Sequence, residues 1–154
     1  MRFRDEYYFL SNMYPCDITL TICGVDYTFS CVESAFQAHK EMSRINEFVG
    51  INGFEAKKLG RKVNIFADWG CTAHWNRRRV GIMRIILMYK FEQHPDLLEK
   101  LLAIDGPIIE ENTWNDTFWG VCNGKGENQL GELLMEIIDK ELKFRERIKE
   151  NGKN

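Results

Sequence analysis

The chain has 154 residues with 21 basic and 23 acidic side chains, a formal net charge of -2. No overall positive field draws it along a nucleic-acid backbone, which argues against extended DNA binding and favours a small phosphorylated ligand over a long polyanion. At 44% hydrophobic it can bury one core but is too short for two ordinary domains, so a single domain is expected.

The five cysteines, Cys16, Cys23, Cys31, Cys71 and Cys122, form no CxxC pair and are odd in number, which points to reduced thiols in a cytoplasm. His39, His74 and His94 match no HExxH or paired metal-ligand spacing, so the sequence asks for no metal and no cofactor. The charged start, Met1 to Glu6, lacks the apolar core of a signal peptide, and the apolar run Ile85 to Tyr89 cannot span a bilayer. A soluble, cytoplasmic protein without a membrane partner is expected.

In chain order, Ile18, Leu20 and Ile22 alternate with threonines, and after Cys23-Gly24 the alternation resumes through Val25, Tyr27 and Phe29, which predicts a β-hairpin. A helix should follow from a Ser30 cap to about Met42, burying Val32, Ala35 and Phe36 while showing Glu33, Gln37 and Lys40, since steps of four and three keep side chains on one face. A carboxylate and an amine on one face suggest chemistry. Ser30 and Glu33 equally read as a capping box, however, and Lys40 as a solvated charge.

Asn46 to Ile51 and Phe54 to Leu59 read as short helical pieces interrupted by Gly50 and Gly53, with Gly60 as a C-terminal cap. The Asp68-Trp69-Gly70 turn precedes a long helix, about Thr72 to Gln93, whose Val80, Met83, Ile86, Leu87 and Phe91 recur at core spacing. Lys57-Lys58, Arg61-Lys62 and Arg77-Arg78-Arg79 can meet a phosphate or form solvated helix faces. An amphipathic helix from Pro95 carries Leu97, Leu98, Leu101 and Leu102 and stops at Gly106-Pro107. The final helix starts near Asn128 and buries Leu130, Leu133, Leu134 and Ile137, and its charged end, Lys140 to Asn154, is expected to fray.

From Glu111 to Gln129 the chain is a long connection rich in Asn, Gly, Trp and Asp, read as an active-site loop. Within it, Asn115 to Gly120 sets a carboxylate, Asp116, beside aromatics, and Gly124-Lys125-Gly126-Glu127-Asn128 runs into a helix. Glycine-flexed amides, a lysine and a helix N-terminus attract phosphate, while an ordinary turn ending in an Asn cap explains the same residues. Of the four tryptophans, Trp69 and Trp119 occupy polar, glycine-ended turns where a ring can wall a cleft, although anchoring the fold is the commoner use.

Taken together, Phe9 to Pro15, Val32 to Lys40, Ala56 to Arg61, Asp68-Trp69, Lys90-Phe91, Asn115 to Gly120 and Gly124 to Met135 closely resemble the NADAR, or YbiA-like, family over roughly residues 7 to 142. The resemblance implies an α+β fold, a mostly helical single domain with a small N-terminal β-hairpin. It further implies an N-glycosidase, with functional positions falling on Glu33, Trp69 and Asp116 and with Lys40 as an amine able to form a Schiff base with the sugar. Asn12, Gln37, Trp119, Gly120, Lys125 and Asn128 complete the expected substrate-binding set. Two departures are Ser34, where histidine often follows the glutamate, and Met13, where phenylalanine is common.

The family's substrates are of two kinds. Some members destroy phosphorylated ribosylaminopyrimidines of riboflavin synthesis, and others resemble enzymes that remove ADP-ribose from guanine in DNA. The first reading expected here is hydrolysis of the ribosylaminopyrimidine, with ADP-ribosylated DNA as the alternative and a non-catalytic ADP-ribose or nucleotide-binding module as a third. Glu33 is assigned to proton transfer and Asp116 to orienting ribose hydroxyls or stabilising charge, because base departure leaves positive charge at the anomeric carbon.

Overall fold

A short 3-10 helix (Asp5–Leu10) opens the computed structural model, which describes residues 1–153, and alternating apolar residues then make a hairpin. Strands β1 (Ile18–Ile22) and β2 (Val25–Phe29) pair antiparallel, with Ile18 opposite Phe29 and Ile22 opposite Val25. Cys23 and Gly24 both take positive φ, as a two-residue hairpin turn whose twist matches its strands requires.

The chain divides into two compact units, Tyr8–Pro95 and Met1–Tyr7 with the chain from Asp96 onward. The first unit holds the hairpin, α1 (Val32–Ala38), a 3-10 helix (Met42–Phe48), α2 (Gly53–Gly60), α3 (Ile65–Trp69) and α4 (Thr72–Gln93). Helix α1 packs against α2 and α4, and α4 also packs on β1. All seven α1 residues are buried, so this helix runs through the core instead of lying on it. Helix α4 has the predicted bounds and buries Met83, Ile86, Leu87 and Phe91 at the expected spacing, while Val80 is only half-buried.

The second unit contains α5 (Pro95–Leu102, from its second residue on), β3 (Glu111–Asn112), β4 (Val121–Cys122) and α6 (Gln129–Gly152). The two-residue strands pair parallel, an arrangement that the sequence of the long connection does not announce. Helix α6 buries Leu130, Leu133, Leu134 and Ile137 as expected. Its charged end is helical to Gly152. Lys143 pairs with Asp139 at 3.0 Å and Arg145 with Glu141 at 3.0 Å, both at i,i+4 spacing, and Arg145 also bonds Glu99 of α5.

Three further expectations are corrected. Helix α1 starts after Cys31 rather than Ser30, because the Ser30 hydroxyl bonds the carbonyl of Ile51 and caps nothing. It ends at Ala38 rather than near Met42, and a turn follows in which the Lys40 amide bonds Gln37 O at 3.1 Å. Gly60 is the last residue of α2 and Arg61 is its cap; the glycine is needed because a Cβ there would overlap Gln37 Oε1 and lie 2.7 Å from its Cδ. Among the described residues, no helix is long and apolar enough to cross a membrane, and no group of three His, Cys, Asp or Glu could hold a metal ion.

Candidate active site

In the Tyr8–Pro95 unit, α1 carries Glu33 and Gln37 one turn apart, and both are buried rather than displayed. Gln37 Nε2 donates to Glu33 Oε1 at 2.9 Å, so the glutamate side chain is engaged with Gln37. The backbone amide of Glu33 donates to Asn12 O at 2.9 Å. This ties the start of α1 to the Ser11-Asn12 turn. Ser34, the residue that departs from the family pattern, donates to Ile51 O at 2.8 Å and lies 3.4 Å from Cys31 Sγ. Met13, the other departure, packs its thioether where a Cβ on Gly53 would sit.

Lys40 lies just past the end of α1, its Nζ 3.5 Å from Gly60 O. Burial lowers its proton affinity below that of a free lysine, Glu33 opposes the shift, and Arg61 and Arg79 add to it. Glu33 and Lys40 therefore share one electrostatic environment, as helical spacing predicts, although Lys40 sits in a turn. Burial also lowers the proton affinity of His39, whose Nδ1 donates to Ala35 O at 2.6 Å. Asn12 Nδ2 meets Met83 Sδ at 3.7 Å, and Asn12 Oδ1 is buried without a hydrogen-bond partner among the described residues. Buried acceptors are normally paired, so this atom is a candidate for a ligand hydroxyl.

Trp69 ends α3, half-buried, with its indole N–H donating to His39 O at 2.9 Å. Its ring meets Trp75 edge-on, centroids 5.5 Å apart, and Trp75 in turn packs on Phe36 at 5.3 Å. The ring is thus held by an anchor at each end. Beside it, Asp68, His74, Arg77 and Arg78 line a shallow cleft of about 350 Å³ with Trp69.

In the second unit, Asp116 Oδ1 accepts from the amides of Phe118 at 3.1 Å and Trp119 at 2.8 Å. The Asp116 main chain is held on both sides by Asn112, whose Oδ1 accepts from Asp116 N at 3.1 Å and whose Nδ2 donates to Asp116 O at 2.8 Å. Trp119 is half-buried, with its ring edge-on to Phe118 at 4.9 Å. Gly120 is buried, and a Cβ on it would overlap Glu110 Oε2 and lie 2.7 Å from Cδ.

The segment entering α6 reads in sequence as either a phosphate cradle or an ordinary turn ending in an Asn cap. The amides of Glu127, Asn128, Gln129 and Leu130 donate to the carbonyls of Thr117, Gly120, Phe118 and Trp119 at 2.8, 3.3, 3.1 and 2.9 Å. None of these four amides is left for an anion, because the loop has taken the place of one. Asn128 is no ordinary cap either. It adopts the left-handed conformation, and its side chain accepts from Glu110 N and donates to Ile108 O, each at 2.9 Å. Lys125 is exposed at a tight turn closed by Cys122.

Three groups escaped the sequence reading. Glu110 and Asn112 are buried polar side chains, hidden because Glu111 and Thr113 make the segment look like surface. Arg79, read in the sequence only as part of a basic run, acts on the charge of Lys40, a pairing that the run does not announce. Lys90 is fully buried, donating to Phe9 O at 2.6 Å and Ser11 O at 3.2 Å, with Tyr14 and Phe91 rings beneath its ammonium.

This mostly helical α+β fold is that of a known class. The solution structure of the Escherichia coli protein YbiA superposes with a TM-score of 0.74 at 30% identity, covering 94% of this chain and 84% of that one. The NADAR domain model matches residues 2–142, and the chain belongs to the NADAR family. Among curated relatives, the N-glycosidase YbiA of Shigella boydii is 46% identical over 65 residues, 42% of this chain and 41% of that protein. An N-glycosidase of Nostoc punctiforme is 38% identical over 64 residues, 41% of each chain. The matched segments therefore span about two fifths of those relatives.

Proposed function

We propose that this protein is an N-glycosidase that hydrolyses the bond between ribose and a nitrogenous base, acting on phosphorylated ribosylaminopyrimidines of the riboflavin pathway. The observation that carries the reading is the buried Glu33, engaged by Gln37, with Lys40, whose proton affinity burial lowers, in its electrostatic reach. The naming of relatives as N-glycosidases supports it.

In this reading Glu33 transfers the proton as the C1′–N bond breaks. The bonding pair leaves with the base, the Glu33 carboxylate takes a proton from the water that adds to C1′, and that proton passes to the departing base. Asn12 Oδ1 accepts from a ribose hydroxyl and Trp69 packs against the base or sugar; for Asp116, in the other unit, the family resemblance implies orienting hydroxyls or stabilising charge. Lys40 offers a covalent variant: with the sugar ring open, C1′ is an imine to the base amine, and the neutral Lys40 amine adds to it. The base amine takes a proton and leaves with its bonding pair, and water hydrolyses the resulting Schiff base to free the sugar and the lysine.

Chromatographic assay of base release from a ribosylaminopyrimidine 5′-phosphate and from ADP-ribosylated guanine DNA, with wild type and Glu33→Ala, tests the proposal. Release from the metabolite that Glu33→Ala abolishes supports it. Release from the DNA alone would reassign the substrate, and nucleotide binding with release from neither would make the protein a binding module.

A further inference from the structure

We infer that Glu110, acting through Asn112, is the positioning residue that sets Asp116. The inference rests on the proposed role of Asp116 for its catalytic part only.

Glu110 and Asn112 are 7% and 6% exposed, and Asn112 Nδ2 donates to Glu110 Oε2 at 3.1 Å. Asn112 then clamps the Asp116 main chain from both sides, at N and at O. A primary amide held at both ends cannot rotate without breaking these bonds, and the Glu110 carboxylate decides which of its faces is donor. Glu110 is itself seated on both sides. Its amide donates to Asn128 Oδ1 at 2.9 Å, its carbonyl accepts from Val121 N at 2.7 Å, and Gly120 leaves out the Cβ that would overlap its carboxylate.

A loop that needed only shape would be better served by an apolar side chain here, because burying a carboxylate is unfavourable unless hydrogen bonds offset it. The arrangement fixes direction as well as shape. Asp116 Oδ1 is already taken by the amides of Phe118 and Trp119, so the frame that holds its main chain also fixes where Oδ2 sits. Glu110 touches no reacting atom in this scheme; it acts on Asp116 alone.

The test compares Glu110→Gln, which keeps an acceptor for Asn112 Nδ2, with Glu110→Ala and Asn112→Ala. Two readouts are taken: hydrogen exchange at the Phe118 and Trp119 amides, and kcat and KM for base release. Glu110→Ala and Asn112→Ala should each speed exchange at those two amides and lower kcat roughly tenfold to a hundredfold, with KM little changed. Glu110→Gln should retain most of both, and neither alanine variant should lower kcat further in an Asp116→Ala background. Should Glu110→Ala not fold, Asn112→Ser, which keeps one hydrogen-bonding group, carries the same comparison. Unchanged exchange in the alanine variants overturns the inference, as does an equal loss of kcat with Asp116 already removed. If wild type releases no base from any substrate, the functional reading fails, while the exchange data still decide whether Glu110 sets the loop.

Discussion

Replacing Gly60 with alanine should unseat Glu33 without touching it. Gly60 is helical and has an ordinary negative φ, so alanine by itself would stabilise α2 by about 1 kcal/mol. The new Cβ would overlap Gln37 Oε1 and lie 2.7 Å from Cδ, and Gln37 is buried, so its side chain must swing away. The 2.9 Å bond to the Glu33 carboxylate is then lost, a charge-assisted buried bond worth about 1.5–3 kcal/mol. The net is a destabilisation of about 0.5–2 kcal/mol, or roughly 1–8 °C in Tm for a chain of this size. Urea unfolding and base-release kinetics on Gly60→Ala and on Gly60→Ala/Gln37→Ala measure it. The cost should appear in the first relative to wild type and vanish from the second relative to Gln37→Ala alone, where no amide meets the Cβ, and kcat should fall in both. A Gly60→Ala protein as stable as wild type with undiminished kcat would refute the idea that this glycine exists to seat Gln37.

Three other outcomes follow from the geometry. Lys90 keeps its proton to about pH 8 in the fold, because burial disfavours the charge, but to about 10.5 when unfolded. Between those values the unfolded chain binds more protons, so this group should raise stability with pH by up to about 3 kcal/mol, a slope that urea titrations of Lys90→Met should lack. Borohydride-trapped adduct at Lys40 should rise with pH around a midpoint below that of a free lysine, because burial lowers its proton affinity; Glu33→Gln removes an opposing charge and should move the midpoint lower still. An unmoved midpoint counts against the Glu33–Lys40 coupling. Gly120→Ala should cost more than Gly60→Ala, about 3 kcal/mol or above, because its Cβ would overlap the Glu110 backbone carbonyl as well as the carboxylate; a thermal shift no larger than that of Gly60→Ala would show that the loop yields.

Patterns short enough to be settled locally were legible in the sequence. The hairpin follows from alternation around Cys23-Gly24, and α4 from core spacing over six turns. The nearness of Glu33 to Gln37 was readable from helical geometry. What failed depends on partners distant in the chain. Ser30 would cap α1 if its hydroxyl were not taken by Ile51, 21 residues on. The amides opening α6 would cradle an anion if residues 117–120 did not supply their acceptors. Glu110 and Lys90 escaped because a charged side chain is ordinarily exposed, and only the fold reveals the amide and carbonyls that make burial tolerable.

The bonding of the Thr117–Gly120 carbonyls to the Glu127–Leu130 amides also sets where the chain can change length. An insertion inside either stretch would displace the register of all four bonds at once. One at the Cys122–Lys125 turn, where Asn123 and Gly124 take positive φ, would lengthen the return path and leave both ends matched. Natural length variation, and any tag or probe grafted onto this loop, should therefore collect at that turn.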